Sequence, residues 1–309
     1  CSSSIDAISL AALKVAAGHS SAVLAGGVEM MSRVPLMADR ARVFADHEYG
    51  VSHQVLLMGA GADLIAERVG ASRADCDAVA YLSHQRALRA QREGRFTSVV
   101  PIKTRSGSVS LDECIRPSLT AERLAAMPPA FLALGAAGSD AVQLSQYPEL
   151  TKIAHVHTAG NSPAMCDAAA VLLVGSKMLA SDKGLIPKVR IVDSVTCCGE
   201  PLEVVSGCVA ATKAILSRNK LSPSDVDVFE IHEAFAATIV KLQRELEIDS
   251  ARLNVNGGCI ALGHPMGATG AIMAGTAIDE LVRCDGAIGV IAASGAAGSG
   301  SALLVERCY

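Results

Sequence analysis

Three residues stand where their types and surroundings permit chemistry. His264 lies in the stretch Asn256 to Gly270, which carries glycine at 257, 258, 263, 267 and 270 and proline directly after the histidine. Glycine at that density lets the backbone come close to a ligand. Pro265 fixes the chain just past the histidine, so His264 is expected on a shaped loop at the N-terminus of a helix covering 271–283. His232 follows the apolar run 225–231 and precedes an amphipathic pattern with Phe235, Ile239, Leu242 and Leu246 on one stripe. That places it at a strand-to-helix corner, a usual location for reactive groups in α/β proteins. Cys1 opens another helical pattern, where free amides and the helix dipole favour a thiolate. A cysteine so placed is by itself more often structural, and a glycine-rich loop with a surface histidine is the plain alternative for 256–270. The convergence of unusual stretches favours function.

The elements that must hold these residues follow from periodicity. Apolar residues at Ile5, Ile8, Ala12 and Val15 predict a helix over 4–17 ended by Gly18, then a short strand over 21–25 closed by Gly26-Gly27. From Pro35 to Leu150 regularity weakens and prolines and charges accumulate, as in a polar insertion. Within it 71–93 reads as a helix bearing Arg86, Arg89 and Arg92 on one face, followed by Arg95, Lys103 and Arg105. That face fits either phosphate binding or a solvated helix surface. The alternation over 152–158 predicts a strand, with His155 and His157 on its opposite edges rather than paired as metal ligands. A turn at 160–163, a helix or strand over 168–174, a strand over 188–195, an amphipathic helix over 201–218, and strands over 287–292 and 301–306 complete the chain. Helix 4–17 with strand 21–25 weakly repeats helix 271–283 with strand 287–292, and each unit begins beside one of the candidate residues.

Composition limits the classes. The chain has 309 residues, half of them apolar, with no tryptophan and a formal net charge of −4. One large domain or two to three smaller ones are expected, and nucleic acid is disfavoured as a partner. The ten cysteines form no CxxC spacing, so neither a zinc ribbon nor a secreted disulfide scaffold is indicated, and a reducing, intracellular setting is expected. The apolar segment 287–305 is rich in Gly and Ser and reads as a buried hairpin rather than a membrane span. The chain opens with Cys rather than Met, which suggests a fragment or a processed product.

Five motifs, in order, resemble the thiolase family. They are Ala25-Gly-Gly-Val-Glu-Met-Met-Ser-Arg-Val-Pro35, Asp112-Glu113 with Arg116-Pro117, Leu124 to Phe131, His232-Glu-Ala-Phe-Ala236, and Gly263-His-Pro-Met-Gly-Ala-Thr-Gly270. The resemblance implies an α/β thiolase fold: two similar βαβαβαββ halves packed into a layered α-β-α-β-α core, with an inserted loop domain. The N-terminal half would comprise 1–35 and 151–186, the loop domain 36–150 and the C-terminal half 187–309. It further implies 3-ketoacyl-CoA cleavage by coenzyme A, or the reverse Claisen condensation, through an acyl-cysteine. Cys1 matches the nucleophile, His264 its base, and His232 the oxyanion-hole position shared with His264. Met58, Ser162, Ala234 and Phe235 match substrate-binding positions, and the cationic run 86–105 matches a phosphate contact. The His-Glu-Ala-Phe form is similar to the branch found in β-oxidation complexes, which implies a hydratase/dehydrogenase partner subunit. Homodimers or homotetramers are implied, as is coenzyme A as co-substrate with no metal or permanently bound cofactor. Location would be cytoplasmic in a bacterium, or mitochondrial matrix or peroxisome in a eukaryote.

Two departures matter. The family's second cysteine falls on Ser294, whose hydroxyl is several pK units less acidic than a thiol. The backbone N–H of Ala296, paired with that of Cys1, is still expected to form a second oxyanion hole. The first half is also much shorter than the second, which implies one or two strands and helices upstream of Cys1. Because of Ser294, two alternatives stand beside a thiolase: a decarboxylating condensing enzyme using Cys-His-His, and a catalytically impaired thiolase-like acyl-CoA-binding protein.

Overall fold

The computed structural model describes residues 1–105 and 107–308. Its centre is a four-stranded mixed sheet in the spatial order Val189–Cys198, Ser299–Arg307, Ile288–Ser294, Val228–Ile231. The first two contacts are antiparallel and the last is parallel. The hairpin expected over 287–305 is therefore present. Alternate side chains of its strands serve opposite cores, as the two-residue period of a strand demands. Val290 and Ala292 pack towards the Gly207–Arg218 helix, with Phe229, Ile231 and Leu304. Ile291 and Ala293 pack towards the Met266–Cys284 helix, with Leu303 and Val305. Each large apolar side chain so buried contributes about 1.5–3 kcal/mol.

The second face of the Met266–Cys284 helix, together with the Ser3–Ala16 helix, meets a two-stranded antiparallel sheet, Ala22–Glu29 with Ala168–Gly175. The layers thus run helix, sheet, helix pair, sheet. The strand expected to close at Gly26-Gly27 continues to Glu29. These glycines are used for close approach rather than for a turn. A Cβ on Gly26 would stand 2.0 Å from the Ala170 carbonyl oxygen, and one on Gly27 would stand 2.1 Å from that of Gly267.

The segment 36–150 contains two long helices, Met58–Val69 and Arg73–Arg92, the second opened by a reciprocal Ser72/Asp75 capping box. Both pack on the Ala236–Leu246 helix of the C-terminal half. Among the described residues no helix is long and apolar enough to cross a membrane.

Three expectations fail for tertiary reasons. Residues 152–158 are extended but form no strand. The buried carboxylate of Asp63 accepts the N–H groups of Val156 and His157, occupying amides that a sheet partner would need. His155 and His157 also do not lie on opposite edges: their Nδ1 atoms converge on Asp63, at 2.9 and 2.7 Å. The helix predicted over 201–218 begins only at Gly207, because Val204 sits at φ 56°, closed to a continuous right-handed helix.

Candidate active site

Cys1 immediately precedes Ser2, the N-cap of the Ser3–Ala16 helix. Ser4 Oγ accepts the N–H of Ala271 at 2.9 Å, tying the first turn of this helix to the first turns of the Met266–Cys284 helix. That second helix starts two residues after His264, with Pro265 as its N-cap. The two helix starts are therefore joined, and Cys1 and His264 are carried by the same junction.

His264 is held at both ends of its residue. Its backbone N–H donates to the Ala164 carbonyl at 2.7 Å, and its Nδ1 lies 2.8 Å from Thr269 Oγ1. His232 leaves the end of the Val228–Ile231 strand with its N–H on the Ala292 carbonyl. Its ring faces that of His264, with centroids 4.4 Å apart and planes tilted by 37°. His232 is 2% exposed, and neither ring nitrogen has a hydrogen-bond partner.

Burial sets the charge state. Desolvation pushes the His264 imidazole down to about 3. His232 is driven well below its ordinary value by burial first, then by His264. Both rings are neutral at physiological pH, and the backbone nitrogen of Cys1 lies close enough to act on each.

The two histidines are held in register by a residue the sequence reading passed over. Glu233 is buried and its carboxylate accepts from Ser83 Oγ, the Ile260 N–H and Asn254 Nδ2 at 2.7, 3.0 and 3.1 Å. It thereby links the His232 corner to the segment leading into His264. Asn254 in turn spans the N–H and C=O of Ile231. Cys259 was also passed over. Its sulfur and ring nitrogens of His232 and His264 lie within 4.8 Å of one another, the one group among the described residues able to hold a metal ion. The signal available in the sequence was only its position, five residues before His264.

Other expected site residues divide. Met58, Ala234 and Phe235 meet in one apolar cluster, where Phe235 packs edge-on against Phe131 with ring centroids 5.7 Å apart. Ser162 Oγ is buried with no hydrogen-bond partner. Ala296 lies in the exposed turn of the hairpin, and its N–H makes no hydrogen bond among the described residues. Ser294, at the position of the family's second cysteine, is committed to the backbone. Its hydroxyl donates to the Val205 carbonyl and accepts the Cys208 N–H, at 2.7 and 2.8 Å, so it caps the Gly207–Arg218 helix. Within the cationic run, two arginines are committed elsewhere. Arg86 is spent on the carbonyls of Leu253 and Ser250, and Arg95 on Glu93 and Asn256, leaving neither guanidinium free for phosphate.

Residues 1–178 match the profile of the thiolase N-terminal domain, and residues 185–307 that of the thiolase C-terminal domain. The chain belongs to the thiolase family. This thiolase is 34% identical to the 3-ketoacyl-CoA thiolase of Bacillus subtilis (strain 168), over 100% of its own length and 77% of the relative's. It is 36% identical to the 3-oxoadipyl-CoA/3-oxo-5,6-dehydrosuberyl-CoA thiolase of Escherichia coli (strain K12), over 99% of this chain and 78% of that one. The crystal structure of human mitochondrial 3-ketoacyl-CoA thiolase superposes with a TM-score of 0.84 at 27% identity, covering 100% of this chain and 77% of that one. The thiolase fold is thereby established for the layered α/β architecture described above.

Proposed function

We propose that this thiolase cleaves 3-ketoacyl-CoA with coenzyme A to acetyl-CoA and a shortened acyl-CoA, with Cys1, His264 and His232 as the reacting set. The observation that carries the assignment is the pair of buried, neutral imidazoles facing each other beside Cys1. With Nδ1–H donating to Thr269 Oγ1, His264 presents a lone pair at Nε2 and takes the Cys1 thiol proton. The thiolate adds to the C3 ketone. His232, neutral and unpartnered, donates an N–H to a substrate oxygen as charge develops there. The N–H groups of Ala296 and Cys1 are suited to the second oxyanion.

Collapse of the adduct breaks the C2–C3 bond and expels the acetyl-CoA enolate, which recovers its proton from the His264 imidazolium. His264 then deprotonates the incoming coenzyme A thiol, whose attack on acyl-Cys1 releases the product and restores the cysteine. The proton balance closes through His264, which accommodates a Ser294 hydroxyl already committed to the backbone. Met58, Ala234 and Phe235 are proposed to line the pantetheine channel, with the unpartnered Ser162 hydroxyl available to the substrate. Coenzyme A as co-substrate without a permanently bound cofactor, and a homo-oligomer, belong to the same reading.

Steady-state thiolysis of acetoacetyl-CoA and longer 3-ketoacyl-CoAs tests the assignment, together with Cys1→Ala and His264→Ala. Each substitution should lower kcat/KM by about 10²–10⁴-fold or more. Absence of turnover with every 3-ketoacyl-CoA, with Cys1 inert to iodoacetamide, would refute it.

A further inference from the structure

Cys114 and Cys166 come from distant parts of the chain, the loop around 111–117 of the insertion and the segment leading into the Ala168–Gly175 strand. Both thiols are free and partly exposed. Both sulfurs rest against Gly263, the residue before His264. A Cβ built on Gly263 would lie 2.6 Å from Cys166 Sγ and 2.9 Å from Cys114 Sγ, so the two sulfurs share one small space over this glycine. Gly263 itself is at φ 86°, a conformation that disfavours any larger residue. The same surroundings tie into the catalytic base, since the His264 N–H is bonded to Ala164, two residues before Cys166.

The thiols differ in character. Hydrogen bonding from Cys166 is the strongest influence on Cys114 and holds it below the ordinary thiol value, with Arg116 adding to the effect against burial, Asp112 and Glu113. Cys166, as the donor, is raised by that bond, by burial and by the neighbouring charges. One member is thus favoured as thiolate and the other keeps its proton beside it, which is the division between an attacking and a resolving thiol.

We propose that Cys114 and Cys166 form an oxidation site, closing to a disulfide when the protein meets a peroxide. The Cys114 thiolate attacks one peroxide oxygen; the O–O bond breaks, the departing hydroxide takes up a proton to leave as water, and Cys114 becomes a sulfenic acid. Cys166 then attacks Cys114 Sγ, the S–OH bond breaks, and the second water leaves with the Cys166 proton. The peroxide gains two electrons and the two thiols lose them. The disulfide joins the insertion to the Ala164–Cys166 segment directly over Gly263, and drawing the sulfurs together disturbs the Ala164 contact that holds His264.

The test is peroxide treatment of the whole protein followed by blocking of free thiols and peptide mapping. The expected result is loss of two titratable thiols and a Cys114–Cys166 cross-linked peptide pair, lighter by two hydrogens and released by dithiothreitol. Thiolysis should fall in parallel and recover with reductant in the wild type. Cys166→Ser should show no cross-link and no reductant-recoverable loss at the same dose, with Cys114 stopping at the sulfenic acid, trapped by dimedone. Should the serine variant fail to fold, the wild-type peptide map decides alone. A cross-link from Cys166 to Cys259 or Cys1, or Cys114 and Cys166 remaining as free thiols at a dose that oxidises other cysteines, overturns the proposal. Because the map is independent of turnover, its failure is distinguishable from failure of the thiolase assignment.

Discussion

His264 Nδ1 and Thr269 Oγ1 are 2.8 Å apart across the start of the Met266–Cys284 helix. That contact leaves Nε2 as the free nitrogen of the base and fixes the ring plane relative to His232. Thr269→Val keeps the shape and removes the hydrogen bond. A loss of about 1 kcal/mol in the transition state predicts a kcat about five- to tenfold lower, with KM little changed and Thr269→Ser restoring the rate. Unaltered kcat in the valine variant would show that packing alone orients the ring.

Ser294 is predicted to matter for stability more than for turnover. Ser294→Ala strips the Cys208 N–H and the Val205 C=O of their partner and should cost about 1–3 kcal/mol in denaturant unfolding. Activity per folded molecule should fall by less than about tenfold. A loss of about 10²-fold or more, the size associated with an acid–base group, would place the hydroxyl in the chemistry and contradict the role assigned to His264.

Glu233 should behave as the clamp between the two histidine segments. Glu233→Gln presents one acceptor oxygen and an NH2 group to three donors that now share a carboxylate. Destabilisation of about 1–3 kcal/mol is expected, visible as a lowered Tm together with a lowered kcat. A stable variant with reduced kcat would mean that the carboxylate acts on the site rather than on the fold.

The histidines also set an acid limit. Each is less able to take a proton in the fold than when unfolded, where an imidazole titrates near 6.5. As pH falls below that value the unfolded chain binds protons that the native state refuses, so stability declines, and for His264 the decline continues down to about 3. Urea midpoints measured at pH 7, 5.5 and 4 should show this slope, and His264→Asn should reduce it. The kcat/KM profile should lack the inflection near 6.5 that an ordinary histidine base produces; finding one would show that His264 is solvated in solution.

The reactive loop and the strand-to-helix corner were legible because their chemistry is local. Gly263, His264 and Pro265 are adjacent, and the apolar period on either side of His232 marks the corner without reference to the rest of the chain. The hairpin over Ile288–Ser294 and Ser299–Arg307 was legible for the same reason. The strand expected over 152–158 was not secure, because alternation says nothing about a carboxylate ninety residues earlier that captures its amides.

By itself, then, the sequence determined the elements flanking the site, the thiolase motifs and the candidacy of Cys1, His232 and His264, since each rests on residue types at short spacing. Only the tertiary structure decided what these groups face. It neutralised both imidazoles by burial, spent Arg86 and Arg95 on backbone and neighbouring side chains, and turned the Ser294 hydroxyl to a helix end. It also brought Cys114 and Cys166 together over Gly263. Hydrogen bonds and desolvation act over ångströms in space between residues far apart in the chain, and the spacing of residue types carries no record of those distances.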